Sequence, residues 1–257
     1  MRPEPLFDAD KAAGGSEDPE LVARVAALND RYRHHSATSV MQGALREAGN
    51  IALVSSFGAE SVVLLHMAAV HNRKVPVLFI DTQMLFAETL QYQRDVAERL
   101  HLENVHVIRA DEQELAFEDP DNTLHQFSTD ACCALRKTRP LDNALSRYDG
   151  WITGRKRFQS GTRAALDFFE VESGTGRIKV NPLAHWAPDD VKSYMEENRL
   201  PRHPLVARGY PSIGCAPCTT PVAPGEDPRA GRWRGSDKDE CGIHFVNGKM
   251  VRIGARS

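Results

Sequence analysis

The chain has no run of apolar residues near the ~18 that a bilayer-spanning helix needs, and it has no basic excess. Its 35 Asp and Glu outnumber its 32 Lys and Arg, for a formal net charge of -3. The first absence excludes a helical membrane span and the second argues against nucleic acid as a partner, because duplex binding requires a basic face that dominates the field. Residues 1–19 are mixed and acidic rather than basic and then apolar, so no secretory signal is expected and a cytoplasmic location is. Neither a phosphate loop ending in Gly-Lys-Ser/Thr nor a Gly-x-Gly-x-x-Gly fingerprint occurs, and no internal repeat is visible. Cysteine is sparse: Cys132, Cys133, Cys215, Cys218 and Cys241 are all there is. In a reducing compartment, thiols serve metal, redox or nucleophilic chemistry more often than structural bridges. The odd number suits four plus one.

What is present is ordinary globular material, 41% apolar and 26% charged over 257 residues. Asp18 to Tyr32 and Thr38 to Ala48 carry apolar residues at helical spacing. Short apolar runs then follow at Ile51–Phe57, Val75–Ile80, Asn104–Ile108 and Gly150–Thr153. The first two are followed by helical stretches at Glu60–His71 and Phe86–Leu100, and a mostly helical region, Asp121–Tyr148, precedes the fourth. Strands alternating with helices predict an α/β fold with a parallel twisted sheet flanked by helices. Phe168–Glu172 and Arg177–Val180 flank Ser173-Gly-Thr-Gly176, a hairpin signal, and Pro188–Asn198 is a further helix. Seven of the fifteen prolines lie beyond residue 200, which predicts a loop-rich C-terminal segment.

Ligands of such a sheet sit beyond the carboxyl ends of its strands, where the loops after Phe57, Ile80 and Thr153 should converge. The first loop, Ser55-Ser-Phe-Gly-Ala-Glu-Ser61, offers small residues and a helix N-terminus to a phosphate, with Ser56, Phe57, Gly58 and Ser61 as candidates. An ordinary helix cap fits it equally. Asp81 and Thr82 follow the second strand, where they would bind a ribose or order the loop. Arg155, Lys156, Arg157 and Arg163 gather cations after the fourth strand, and Arg229 and Arg232 add a pair further on, which points to a small anion. A solvated basic surface is the alternative. Cys132-Cys133 with Cys215-Ala-Pro-Cys218 can hold zinc or an iron–sulfur cluster, or remain thiols. Adjacent side chains splay apart, which suits two irons of a cubane better than one tetrahedral zinc. Lys137, one turn on, would bring a cation to that group. Cys241, beside Asp239 and Glu240, is either a passive thiol or a nucleophile that needs a cationic site to ionise it.

The ordered set SSFGAES, DTQMLFAETL, CCALRKTRPL, TGRKRFQS, GCAPC and KDECGIH resembles the assimilatory adenylyl-sulfate reductases of the phosphoadenylyl-sulfate reductase family, within the PP-loop adenine nucleotide α-hydrolase-like fold. The resemblance runs from about residue 35 to 248. It implies a [4Fe-4S] cluster on Cys132, Cys133, Cys215 and Cys218, and Cys241 as the nucleophile that takes the sulfonyl group from adenosine 5′-phosphosulfate. AMP leaves, and thioredoxin or a similar dithiol donor releases sulfite. It also implies that Ser56, Phe57, Gly58, Ser61, Asp81, Thr82, Lys137, Arg155, Arg157, Arg163, Arg229 and Arg232 contact the substrate.

In this reading residues 1–34 form a helical extension, 35–233 the nucleotide-binding domain with its iron–sulfur site, and 234–257 a mobile tail carrying the nucleophile. A homo-oligomer is expected, as is a reductant acting in trans, since little chain follows Cys241. Relatives with the cysteine quartet mostly take the nucleotide without a 3′-phosphate, so adenosine 5′-phosphosulfate is the expected substrate, with the 3′-phosphorylated nucleotide, or both, as the alternative. Two departures stand out: Gln83 where glycine usually follows Asp-Thr, and Phe158 where an acidic residue is common. Rival readings are an ATP-using PP-loop enzyme, although the Ser-Gly-Gly-x-Asp-Ser loop is missing, and a non-catalytic iron–sulfur or zinc module.

Overall fold

The computed structural model describes residues 18–159 and 165–235. Helix α1 (Pro19–Tyr32) begins where the Asp18 carboxylate accepts the Glu20 N–H, and α2 (Ala37–Glu47) where Ser36 accepts from Ser39. The alternating part then runs β1 (Ile51–Ser55), α3 (Ser61–His71), β2 (Val77–Ile80), α4 (Ala87–Arg99), β3 (Val105–Ile108). Short helices α5 (Glu112–Glu118), α6 (Leu124–Phe127), α7 (Thr129–Cys133) and α8 (Arg139–Leu145) lead to β4 (Gly150–Ile152), the hairpin β5 (Phe169–Glu172) and β6 (Arg177–Val180), and α9 (Pro188–Glu197).

The six strands form one sheet in the order β3-β2-β1-β4-β6-β5, parallel except for β5. Alternation along the strands sorts two cores: Ile51, Leu53, Val77 and Phe79 face one side, and Ala52, Leu78, Ile80 and Trp151 the other. Helix α3 is buried on nearly all sides through Val62, Val63, Leu65, Met67 and Ala68, which is why its sequence shows no polar face. Fully burying side chains of this kind is worth about 1.5–3 kcal/mol each. The edge strand β5 is closed by α1: the Asn29 amide donates to the Phe169 carbonyl at 2.8 Å and accepts from its N–H at 2.9 Å.

The region expected to be mostly helical between β3 and β4 is interrupted. A π-helical turn, Ala134–Thr138, joins α7 to α8. Pro140 has no N–H to give the Arg136 carbonyl, so the ladder resets by one residue there. Helix α5 has no buried residue, and thus no apolar period to announce it. No helix among the described residues is long and apolar enough to cross a membrane.

Candidate functional site

Strands β1, β2 and β4 run parallel, so their carboxyl ends open on one rim. A cavity of about 450 Å³ lies there, walled by the loops after these three strands and by the segments around Ile213 and Arg232.

The first loop is built from its own hydroxyls. Ser55 Oγ accepts the Phe57 N–H at 3.1 Å, and Ser61 Oγ accepts the Gly58 N–H at 3.0 Å. The Phe57 backbone is left-handed, at φ 47°, and its fully buried ring meets Phe79 edge-on at 5.2 Å. Phe57 therefore shapes the turn from the core, while Ser56, Gly58 and Ser61 line the cavity. In the second loop, the buried Asp81 carboxylate accepts the Gln83 N–H and the Arg109 Nε, both at 2.9 Å. Asp81 orders the loop, and its neighbour Thr82 reaches the cavity wall. Gln83 sits at φ 60°, a left-handed conformation that glycine adopts at no steric cost.

The basic segment after β4 is largely committed to partners. Arg155 pairs with Glu170 and donates to Asn181 Oδ1 at 3.2 Å. Arg157 donates to the Leu166 carbonyl at 2.8 Å and stands 3.6 Å from Asp167. Lys156, buried, holds Glu60 at 2.8 Å. Arg155 and Lys156 line the cavity with Phe158, whose ring is half-exposed. The Glu60–Lys156 pair was not legible in sequence, since its members are 96 residues apart. Lys137, Arg229 and Arg232 also reach the cavity wall. Arg163 lies outside the described residues.

A second, small cavity abuts the first. Thr82, Met84, Thr129, Cys132, Cys133, Arg136, Lys137, Cys215 and Cys218 line it, and Thr82, Lys137 and Cys215 border both. None of these four cysteines is in a disulfide. One pair closes α7. The other flanks the 3₁₀ turn Ala216–Cys218, tied to the second loop by an isolated bridge between Leu85 and Cys215. Thr82 Oγ1 lies 3.2 Å from Cys215 Sγ. Burial, with charge on Cys133 and Cys215, pushes the Cys132 thiol up to about 12, and burial likewise raises Cys218. Among the described residues no three His, Cys, Asp or Glu form a group that could hold a metal ion. The four thiols at one cavity are nevertheless a soft donor set of the kind that zinc and iron–sulfur clusters take, with Lys137 and Arg136 at hand to offset anionic charge.

Arg136, missed in the sequence reading, braces both cavities. It is buried, pairs with the equally buried Asp119 at 2.7 Å, and donates to Asn122 Oδ1 at 2.7 Å and to the Thr82 carbonyl at 3.2 Å. Burial alone would raise the Asp119 carboxyl, but the Leu124 N–H and Arg136 together hold it below the usual range. Cys241 lies outside the described residues.

Residues 50–221 match the phosphoadenosine phosphosulfate reductase domain. Several curated relatives are named adenosine 5′-phosphosulfate reductase, two of them nearly half identical to this chain. The one from Mesorhizobium japonicum is 49% identical over 90% of this chain and 91% of its own length. The one from Chelativorans sp. is 48% identical over 89% and 93%. The crystal structure of phosphoadenylyl-sulfate reductase from Candida auris superposes with a TM-score of 0.68 at 29% identity, covering 81% of this chain and all of that one.

Proposed function

Because the chain belongs to the phosphoadenosine phosphosulfate reductase family, an oxidoreductase family, we propose that it reduces adenosine 5′-phosphosulfate to sulfite and AMP in sulfate assimilation. The observation that carries this reading is the junction of the two cavities: Lys137, Thr82 and Cys215 border both the cation-lined cavity on the sheet's ligand rim and the pocket of four thiols.

The nucleophile is Cys241. Its thiolate attacks the sulfur of the phosphosulfate, the bond from that sulfur to the phosphate oxygen breaks, and AMP departs with the electron pair. The S-sulfocysteine that remains is attacked at Cys241 Sγ by a thiolate of thioredoxin or a similar dithiol donor. Sulfite leaves, and the donor's second thiol resolves the mixed disulfide and returns Cys241 as a thiol. The donor supplies both electrons.

The residues of the chain divide this work. The loop of Ser56, Gly58 and Ser61 and the Thr82 wall seat the nucleotide, with Phe57 and Asp81 holding those loops in shape from behind. Lys137, Arg229 and Arg232 face the phosphate and sulfate oxygens, and Arg163 joins them. As charge develops on the departing phosphate, fixed cations stabilise it without reorganising, by about 3–4 kcal/mol for a well-aimed donor. Arg155 and Arg157 brace the loop after β4 through their carboxylate partners. Cys132, Cys133, Cys215 and Cys218 would hold a [4Fe-4S] cluster, which would supply electrostatic and structural order beside Lys137. Residues 35–233 act as the nucleotide-binding unit and 234–257 present the nucleophile.

The test is sulfite release, with thioredoxin present, from adenosine 5′-phosphosulfate and from its 3′-phosphorylated form in parallel. Preference for the first supports the proposal. Preference for the second would favour the activity named for the Candida auris protein, and pyrophosphate release from ATP with no sulfite from either nucleotide would refute both.

A further inference from the structure

Glycine at position 214 is not required by its backbone, because its φ lies outside the left-handed range. What glycine provides there is space. A Cβ on residue 214 would stand 2.3 Å from one terminal nitrogen of Arg232, 2.4 Å from its Cζ and 2.8 Å from the other terminal nitrogen. The guanidinium thus lies against the bare Cα of Gly214. The same guanidinium carbon is 4.4 Å from the centre of the Trp233 ring, a cation–π distance. Trp233 is buried and takes φ 50°, a left-handed conformation costly for a bulky residue. Its N–H is anchored on the Cys218 carbonyl at 3.0 Å, while an isolated bridge pairs Arg232 with Thr219. Both supports come from the segment that carries Cys215 and Cys218.

We propose that Gly214 and Trp233 are positioning residues for Arg232: the first leaves room for the guanidinium, the second holds it from the indole side, and together they fix its aim into the nucleotide cavity. The inference rests on the reading that Arg232 faces the substrate's anionic end. An added methyl at 214 displaces the guanidinium rather than the backbone, because the atoms it meets are the far end of a long side chain.

The test is titration calorimetry with AMP and with adenosine on wild type, Gly214→Ala, Arg232→Ala and the double variant. Gly214→Ala should weaken AMP about ten- to hundredfold, the range for losing one charged hydrogen bond, while adenosine binding stays within about twofold of wild type. In the Arg232→Ala background, Gly214→Ala should cost nothing further, as expected for one residue acting through another. Unchanged AMP affinity, an equal loss for adenosine, or additive losses in the double variant would overturn the proposal. Trp233→Leu, expected to show the same coupling to Arg232→Ala, carries the test if Gly214→Ala does not fold. Wild-type protein that binds no AMP would sink the functional reading along with this one. AMP binding by wild type that is indifferent to Gly214→Ala sinks this one alone.

Discussion

Replacing Arg136 by Met removes the hub between the second loop and the cysteine-bearing helices. Arg136 and Asp119 are each 2% exposed at the side chain, so the variant leaves a carboxylate buried with its main partner gone. Breaking such a pair from one side costs about 3–5 kcal/mol. For a domain of this size each kcal/mol moves the melting midpoint by about 2–4 °C, so Arg136→Met should melt about 10 °C lower. The cost arises from the stranded charge and not from the loss of Arg136 alone, so adding Asp119→Asn should restore at least half of it. Arg136→Lys should fall between, because an ammonium cannot reach Asp119, Asn122 and the Thr82 carbonyl at once as the guanidinium does. Thermal unfolding followed by far-ultraviolet circular dichroism, under anaerobic conditions, measures all three. A midpoint for Arg136→Met within about 2 °C of wild type, or a double variant no more stable than the single, would refute the argument.

Gln83→Gly should stabilise the protein by about 0.5–1 kcal/mol, the left-handed penalty less the entropy glycine adds to the unfolded chain. Chemical denaturation reads this, and Gln83→Ala should show no such gain. His203 is buried, its Nδ1 accepts the Leu205 N–H, and Nε2 faces Thr89 Oγ1 at 3.1 Å, so folding favours the neutral ring and burial pushes its pKa down to about 4. The unfolded chain takes up the proton first, near ~6.5. Stability contributed by neutral His203 is therefore full above pH ~6.5 and lost between there and pH ~4, by roughly 1–3 kcal/mol in all. A pH series of melting midpoints should show that slope, and His203→Gln should flatten it. Lys137→Ala should lower kcat/KM for adenosine 5′-phosphosulfate by about a hundredfold or more, if it aims at developing charge. Steady-state kinetics showing less than a threefold loss would remove Lys137 from that role.

The strands and their flanking helices were readable because each is a short apolar run or an amphipathic period with a turn residue at its end, as at Val77–Ile80 before Asp81. The hairpin at Ser173–Gly176 was readable for the same local reason. Convergence of the loops after β1, β2 and β4 follows from parallel strands and needs no side-chain detail. Local pattern is silent where a long-range partner is involved. The cations Arg155 and Arg157 stand out in the sequence, but their partners Glu170 and Asp167 do not. Glu60 with Lys156, Arg136 with Asp119, and Gly214 with Arg232 are pairs that only the folded chain brings together. Phe57 sits in a phosphate-loop pattern, and nothing local in the sequence shows that its ring packs into the core against Phe79. Helix α5 carries no buried side chain, so no periodicity marked it.

The most direct test of the central claim is to mix the protein with adenosine 5′-phosphosulfate, withhold any thiol reductant, and map the products by peptide mass spectrometry. The account predicts one added SO₃ on the peptide containing Cys241, removed by thioredoxin with release of sulfite and absent from Cys241→Ser. An unmodified Cys241 in protein that still turns over, or an adduct on a different cysteine, would contradict it.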